Sequence, residues 1–235
     1  MKKAIVLLSG GQDSVTSLYW AKDNFDFVHT ISCNYGQKHL REVNAAKKIA
    51  DMAGVQHEVI ELPRCLVSNS PLVSNTKLEN YSTYDEMNKI IANRQEVTFV
   101  PMRNALFLTL AANRAAYLSI DNIVTGVCEM DNANFDDCRA TFLTAAENYI
   151  NISLGNDHRE SATWIKIHAP LINLSKQETV KLAQSFDGAM DAMAYSHTCY
   201  AGKYPPCGKC HSCVLRAEGF RLAGVDDPIF SRDTE

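Results

Sequence analysis

The sequence predicts an α/β protein: a doubly wound, mainly parallel five-stranded sheet with helices on both faces, plus a small C-terminal zinc-binding segment. Short, continuous apolar runs recur along the chain, as expected of strands buried on both faces. Stretches of helical periodicity stand between them, and that alternation is the pattern of parallel crossover units. A Gly-Gly turn directly after the first apolar run supplies a strand-to-helix junction that can receive a ligand.

The elements follow in order. Residues 4–8 are the first apolar run, and they end in Ser9, Gly10, Gly11, Gln12, Asp13 and Ser14. A helix-compatible stretch follows over 15–21, with Asp13 or Ser14 as its cap. Residues 27–35 read as the second strand. A helix over 40–52 has Val43, Ala46, Ile49 and Ala50 at helical spacing and Gly54 as its stop. A third, short strand over 57–61 ends at Pro63. Residues 64–97 break the rhythm with Asn, Ser and Thr, which is the composition either of a lid or insertion or of a passive surface excursion. A helix over 105–117 follows, with Asn104 as its cap. The fourth strand, over 122–127, delivers a loop rich in carboxylates. Then come a helix over 140–150 and a fifth strand over 164–168. Ser175 and Glu178 have the spacing of a capping box, opening a helix through Phe186. This divides the chain into an α/β unit over 1–190 and a C-terminal segment over 191–235 packed on it.

A chain of 235 residues can bury a core without staples. Its 46% hydrophobic and 21% charged residues are those of an ordinary soluble globular protein. The net charge of -4 gives no electrostatic case for a nucleic-acid surface. The N-terminus runs straight into the first strand, without the layout of a signal peptide, and no stretch is long enough to span a bilayer. The expected location is cytoplasmic. Eight cysteines should then be reduced, and a cluster among them points to metal. Cys33, Cys65 and Cys128 stand alone and read as packing residues.

The Gly-Gly turn places free backbone N–H groups and the positive end of a helix dipole at one spot, which suits a phosphate. Gly10 and Gly11 let that phosphate approach the backbone. No lysine follows them as in a Walker loop, and the glycine spacing of a dinucleotide fold is missing. The string from Leu8 through Ser9, Gly10, Gly11, Gln12, Asp13 and Ser14 to Val15 instead resembles the pyrophosphate loop of enzymes that split ATP between its α and β phosphates. That resemblance implies an adenine nucleotide alpha hydrolase-like fold, with ATP bound over these residues and Asp13 and Ser14 at the reacting phosphates.

Further along, Arg103 sits where a loop meets a helix in the second strand-loop-helix passage, a place suited to a phosphate or carboxylate. Glu129, Asp131, Asp136 and Asp137 crowd the loop after the fourth strand, where open α/β sheets place their ligands. They could receive N–H donors of a substrate or a metal ion, or be solvated carboxylates and helix caps. Lys176 reads as a solvated lysine, with a phosphate contact as the alternative.

Cys199, Cys207, Cys210 and Cys213 follow one another with seven, two and two residues between them. Four cysteines so placed can close a tetrahedral thiolate site with no spare position, which makes it structural, and zinc is the metal expected. The haem-attachment string formed with His211 leaves Cys213 superfluous, and the closing Cys-Pro of a ferredoxin run is absent. His197 and His211 are neighbouring substitutes as ligands.

Taken together, the loop at Ser9, the stretch from Phe99 to Asn104, Thr125 to Glu129, Asp137 to Arg139 and the cysteine cluster resemble the 7-cyano-7-deazaguanine synthase family over nearly the whole chain. The resemblance implies two ATP-driven stages. The carboxylate of 7-carboxy-7-deazaguanine is adenylated and ammonia displaces AMP to give an amide, then the amide oxygen is activated and leaves as AMP to give the nitrile. It further implies Mg²⁺ on the pyrophosphate, one structural zinc per chain, a homodimer and no nucleic-acid partner. Arg103, Asn104, Glu129, Asp131, Asp137 and Arg139 match the family near the substrate. The chain departs from the pattern at Met102, where the family usually has glycine, and over 132–136.

Overall fold

The computed structural model describes residues 1–62, 64–92, 94–129, 135–160 and 163–232. Asp131, with most of the departing stretch over 132–136, lies outside the described residues, as does Pro63.

Five parallel strands form one sheet in the order β3-β2-β1-β4-β5. They are β1 (Lys3–Leu7), β2 (Phe27–Asn34), β3 (Gln56–Glu61), β4 (Asn122–Val124) and β5 (Lys166–His168). The helices are α1 (Gln12–Asn24), α2 (Arg41–Ala53), α3 (Tyr84–Ile91), α4 (Arg103–Leu118), α5 (Ala140–Leu154), α6 (Lys176–Gln184), α7 (Ala189–Ala194) and α8 (His211–Ala223). Side chains on β1 alternate between two cores. Ala4, Val6 and Leu8 pack with Leu18 of α1, Ile49 of α2, Val180 of α6, Met193 of α7 and Phe220 of α8. Ile5 packs with Leu108 of α4 and with Leu143 and Ile150 of α5. The expected doubly wound sheet is therefore present, with helices on both faces.

Strand order reverses between β1 and β4, and such a switch point opens a crevice at the carboxyl ends of the strands. The last two strands are shorter than the sequence predicts. After Val124 one more ladder bond is made, from the Thr125 N–H to the His168 carbonyl (2.9 Å). Gly126 then passes so close to α1 that a Cβ would lie 3.0 Å from the Asp13 carbonyl carbon. The chain leaves the sheet there to meet the start of α1.

The irregular stretch over 64–97 contains α3, which the sequence reading passed over. Thr83 caps it by accepting from the Glu86 N–H (3.1 Å), and Met87 and Ile91 are buried against Val214 and Leu215 of α8. Residue 190 falls inside α7, whose Ala189, Ala192 and Met193 belong to the sheet's own core. Cys33 and Cys128 are buried as expected, whereas Cys65 is exposed.

Candidate active site

The crevice at the switch point is a cleft of about 250 Å³. Its walls come from the β1–α1 loop, the end of β4, the start of α4 and the C-terminal segment. Leu8, Ser9, Gly11, Gln12, Asp13 and Ser14 all line it, while Val15 is buried in the core behind.

The loop is held by its own hydroxyls. The Ser14 hydroxyl donates to the Gly11 carbonyl (2.8 Å) and accepts from the Gly10 N–H (3.1 Å), and the Ser9 hydroxyl donates to Ser14 (3.1 Å). The helix begins two or three residues earlier than expected: Gly11 occupies the cap position of α1, and neither Asp13 nor Ser14 does. That leaves both side chains inside the first turn and facing the cleft. Gly10 adopts φ +87°, and a Cβ on it would lie 2.2 Å from the Glu42 carbonyl oxygen. Gly11 is different: a Cβ there would meet only Ser9 Oγ at 3.5 Å and the His197 oxygen at 3.8 Å. One glycine lets the backbone turn under α2, and the other keeps the cleft open over the helix N-terminus.

Lys176 is not a solvated lysine. Its Nζ donates to both oxygens of Asp13, at 2.8 and 2.9 Å, and its side chain is buried. Room for its stem comes from Gly219 of α8, where a Cβ would lie 2.4 Å from Lys176 Cγ. The lysine therefore joins α6 to the loop and sets a cation beside the N-terminus of α1. Two buried nitrogens, Gln12 Nε2 and Arg103 Nε, have no hydrogen-bond partner among the described residues. Unpaired buried donors of this kind call for an acceptor. With the open Gly11 and the helix N-terminus they fit an anionic nucleotide.

Arg103 and Asn104 line the opposite wall. Burial works against the charge of Arg103, but Tyr35, Tyr200 and Asp137 around it outweigh that and raise its pKa. Asn104 does not cap α4 as the sequence predicts, because the helix starts earlier and Met102 holds the cap position. Its N–H donates to Asp137 Oδ2 (3.2 Å) and its side-chain amide to the Asp137 carbonyl (3.0 Å). Asp137 is buried, and burial pushes its carboxyl above the ordinary range while Arg103 and the Asn104 N–H pull it back. Three of the expected substrate residues, Arg103, Asn104 and Asp137, are thus brought together.

Asp137 is not itself among the cleft-lining residues, and neither are Glu129 and Arg139. Glu129 accepts from the Ala140 N–H (2.9 Å) at the start of α5, and Arg139 pairs with Asp136 across 3.4 Å. Neither Asp136 nor Asp137 caps α5, since Arg139 occupies that position after a short 3₁₀ turn. The sequence does not single out Glu42, Tyr35 or Tyr200, and it puts Lys176 in solvent first, yet all four face the cleft. They come from four separate parts of the chain, so no local spacing announces them. Aromatic side chains complete the wall, with Tyr35 and Phe107 at 5.4 Å between ring centroids and Phe135 and His211 at 6.1 Å.

The four cysteine sulfurs of Cys199, Cys207, Cys210 and Cys213 lie within 4.8 Å of one another. A tetrahedral zinc with Zn–S of about 2.3 Å needs sulfurs about 3.8 Å apart, so the set fits. Cys207 Sγ accepts from the N–H groups of Lys209 (3.5 Å) and Cys210 (3.4 Å). His197 and His211 are not members of this group of potential ligands. The cluster is tied to the cleft directly, because the His197 N–H donates to the Gly10 carbonyl (2.8 Å).

Residues 3–224 match the family described as queuosine biosynthesis protein QueC. The chain belongs to that family. It is 46% identical over 233 residues to a 7-cyano-7-deazaguanine synthase from Gloeobacter violaceus, covering 98% of this chain and 96% of the relative. It is 45% identical over 229 residues to one from Laribacter hongkongensis, covering 97% and 94%. It is 43% identical over 233 residues to one from Chromobacterium violaceum, covering 98% and 94%.

Family membership gives the departure at Met102 a physical reading. That residue takes φ +65°, a left-handed conformation that glycine adopts freely, and its side chain is 69% exposed. Methionine there strains the backbone before α4 but points to solvent and leaves the cleft wall as it is.

Proposed function

We propose that this QueC-family protein converts 7-carboxy-7-deazaguanine and ammonia to 7-cyano-7-deazaguanine, with two ATP cleaved to AMP and pyrophosphate. What carries the reading is the match over residues 3–224 to a family whose relatives bear that enzyme's name, together with a pyrophosphate-type loop at the switch point of the sheet.

The residues support the chemistry as follows. The N–H groups at the start of α1, with Ser9 and Ser14, hold the leaving pyrophosphate, and Lys176 adds positive charge beside it. Mg²⁺ would offset the phosphate charge when bound. Of the two carboxylates that line the cleft among the described residues, Asp13 and Glu42, it is Asp13 that stands in the loop and would reach that ion. Arg103 faces the substrate carboxylate and the charge that develops as it is adenylated. Deazaguanine keeps two N–H donors side by side, and Asp137, next to Asn104, is a suitable acceptor pair for them. Phe107 and Phe135 offer faces for a planar bicycle. Glu129, Asp131 and Arg139 are assigned to shaping the loop beyond β4. No protein nucleophile is required, so catalysis rests on positioning and on charge at phosphorus.

Zinc at the four cysteines braces the C-terminal segment against the α/β unit. A cytoplasmic location would keep those thiols reduced. The homodimer expected from the family belongs to the same reading.

Incubation with 7-carboxy-7-deazaguanine, ATP, Mg²⁺ and ammonium, followed by mass spectrometry, tests it. The expected result is the nitrile with two AMP for each one. Accumulated amide with one AMP each would place the protein with variants that stop at the amide, and ADP as product would reject the chemistry.

A further inference from the structure

Beside the main cleft lies a second, much smaller chamber of about 30 Å³. A cavity of about 10–15 Å³ is enough for one water, so the chamber has room for a molecule of that size. Tyr35, Glu42, Arg103 and Tyr200 line both spaces, and Leu72 closes the chamber on its far side. Glu42 stands in the first turn of α2, and its carboxylate takes part in none of the ion pairs formed among the described residues. The adenylation chemistry assigned above leaves it without a role.

We propose that this chamber is the seat of the ammonia that attacks the activated carbonyl, and that Glu42 holds the nitrogen and takes its surplus proton. The proposal rests on the functional reading given above. Ammonia is the size of water and offers three N–H donors and one lone pair, and a carboxylate is their natural acceptor. Arg103 in the same wall is a fixed cation, and it disfavours a second positive charge at the site. That fixed charge favours neutral ammonia, the nucleophile, over ammonium. In the step itself the nitrogen lone pair forms the C–N bond to the adenylated carbonyl carbon. The C–O bond to AMP breaks with its electron pair going to the departing phosphate oxygen, and the extra nitrogen proton passes to the Glu42 carboxylate. Burial pushes the Glu42 carboxyl up to about 7 although Arg103 pulls it down, and a proton acceptor near neutrality suits that transfer.

The test separates amination from adenylation. Pyrophosphate–ATP exchange driven by 7-carboxy-7-deazaguanine without ammonium reports adenylation alone. Glu42→Gln keeps the size of the side chain and removes the proton acceptor. In this variant kcat/KM for ammonium should fall at least tenfold, while exchange stays within about twofold of the parent. Glu42→Asp, which retracts the carboxylate, should fall in between and serves if the glutamine variant does not fold. An unchanged kcat/KM for ammonium would overturn the proposal, and so would an equal loss of exchange and amination, which marks a merely structural glutamate. Absence of exchange in the parent protein would instead bring down the functional reading itself, and this proposal with it.

Discussion

A Cβ on Gly10 would sit 2.2 Å from the Glu42 carbonyl oxygen at a backbone of φ +87°, whereas one on Gly11 would find ordinary contact distances. Gly10→Ala is therefore expected to destabilise the whole fold, by about 2 kcal/mol or more given the clash and the left-handed backbone. Gly11→Val should instead fold and bring pyrophosphate release to background, because its side chain fills the space over the α1 N–H groups. Thermal melting beside a pyrophosphate assay checks both, and a folded, active Gly11→Val would sink the phosphate assignment. Lys176→Met leaves Asp13 without its cation, and part of that carboxylate is exposed. The expected loss is about 2 kcal/mol, less than the 3–5 kcal/mol of a fully buried broken pair, with pyrophosphate release reduced at least tenfold. Asp13 was legible because it belongs to a compact motif. Lys176 was not, since its partner lies 163 residues away and only the packing of α6 and α8 brings the two together.

At the scale of elements, the legible parts are those whose signal is local. Ser175 caps α6 in the reciprocal arrangement that its spacing to Glu178 announces, and Ser175→Ala should cost about 1 kcal/mol by denaturant melting. Gly54 closes α2 in the left-handed conformation, again as read. Thr83 and Glu86 carry a similar signature for α3, but it is submerged in a polar stretch where apolar periodicity is too short to register. The opposite error occurs at β4 and β5. At β4 the apolar run goes on past the ladder because Gly126 turns off to pass close against α1, and at β5 Ile165 precedes it, with its N–H and carbonyl bonded to the Asn151 side chain and not to a strand. The position before α4 joins both lessons. Asn104 is a good capping residue by type, yet Asp137 from another segment supplies the acceptor and Asn104 turns inward to meet it.

At the scale of the molecule, the cysteine cluster and the loop between β1 and α1 are joined by a short run of backbone. The backbone between them runs from His197, bonded to the Gly10 carbonyl, to Cys199, whose sulfur belongs to the cluster. Arg216 of α8 locks the same segment from behind. It is buried, pairs with both oxygens of Asp227 (2.6 and 2.7 Å), and donates to the hydroxyls of Ser196 (2.7 Å) and Thr198 (2.9 Å). Removing the metal takes away the force that holds four thiolates together, so the segment from Ser196 to α8 should loosen and release its grip on Gly10. Two consequences are expected on treatment with a strong chelator, or in Cys210→Ser. About one zinc per chain should be lost, and the melting temperature should fall by several degrees, as a loss of a few kcal/mol implies for a chain of this size. ATP should also bind more weakly, because part of its binding energy must now reorder the loop. The stabilisation that saturating ATP gives the parent, set by the ratio of ligand concentration to Kd, should shrink in the stripped protein and return when zinc is restored. A metal-free protein that melts unchanged and keeps its full response to ATP would show that the cluster is an independent appendage. In that case the bond from His197 to Gly10 carries no strain between the two sites.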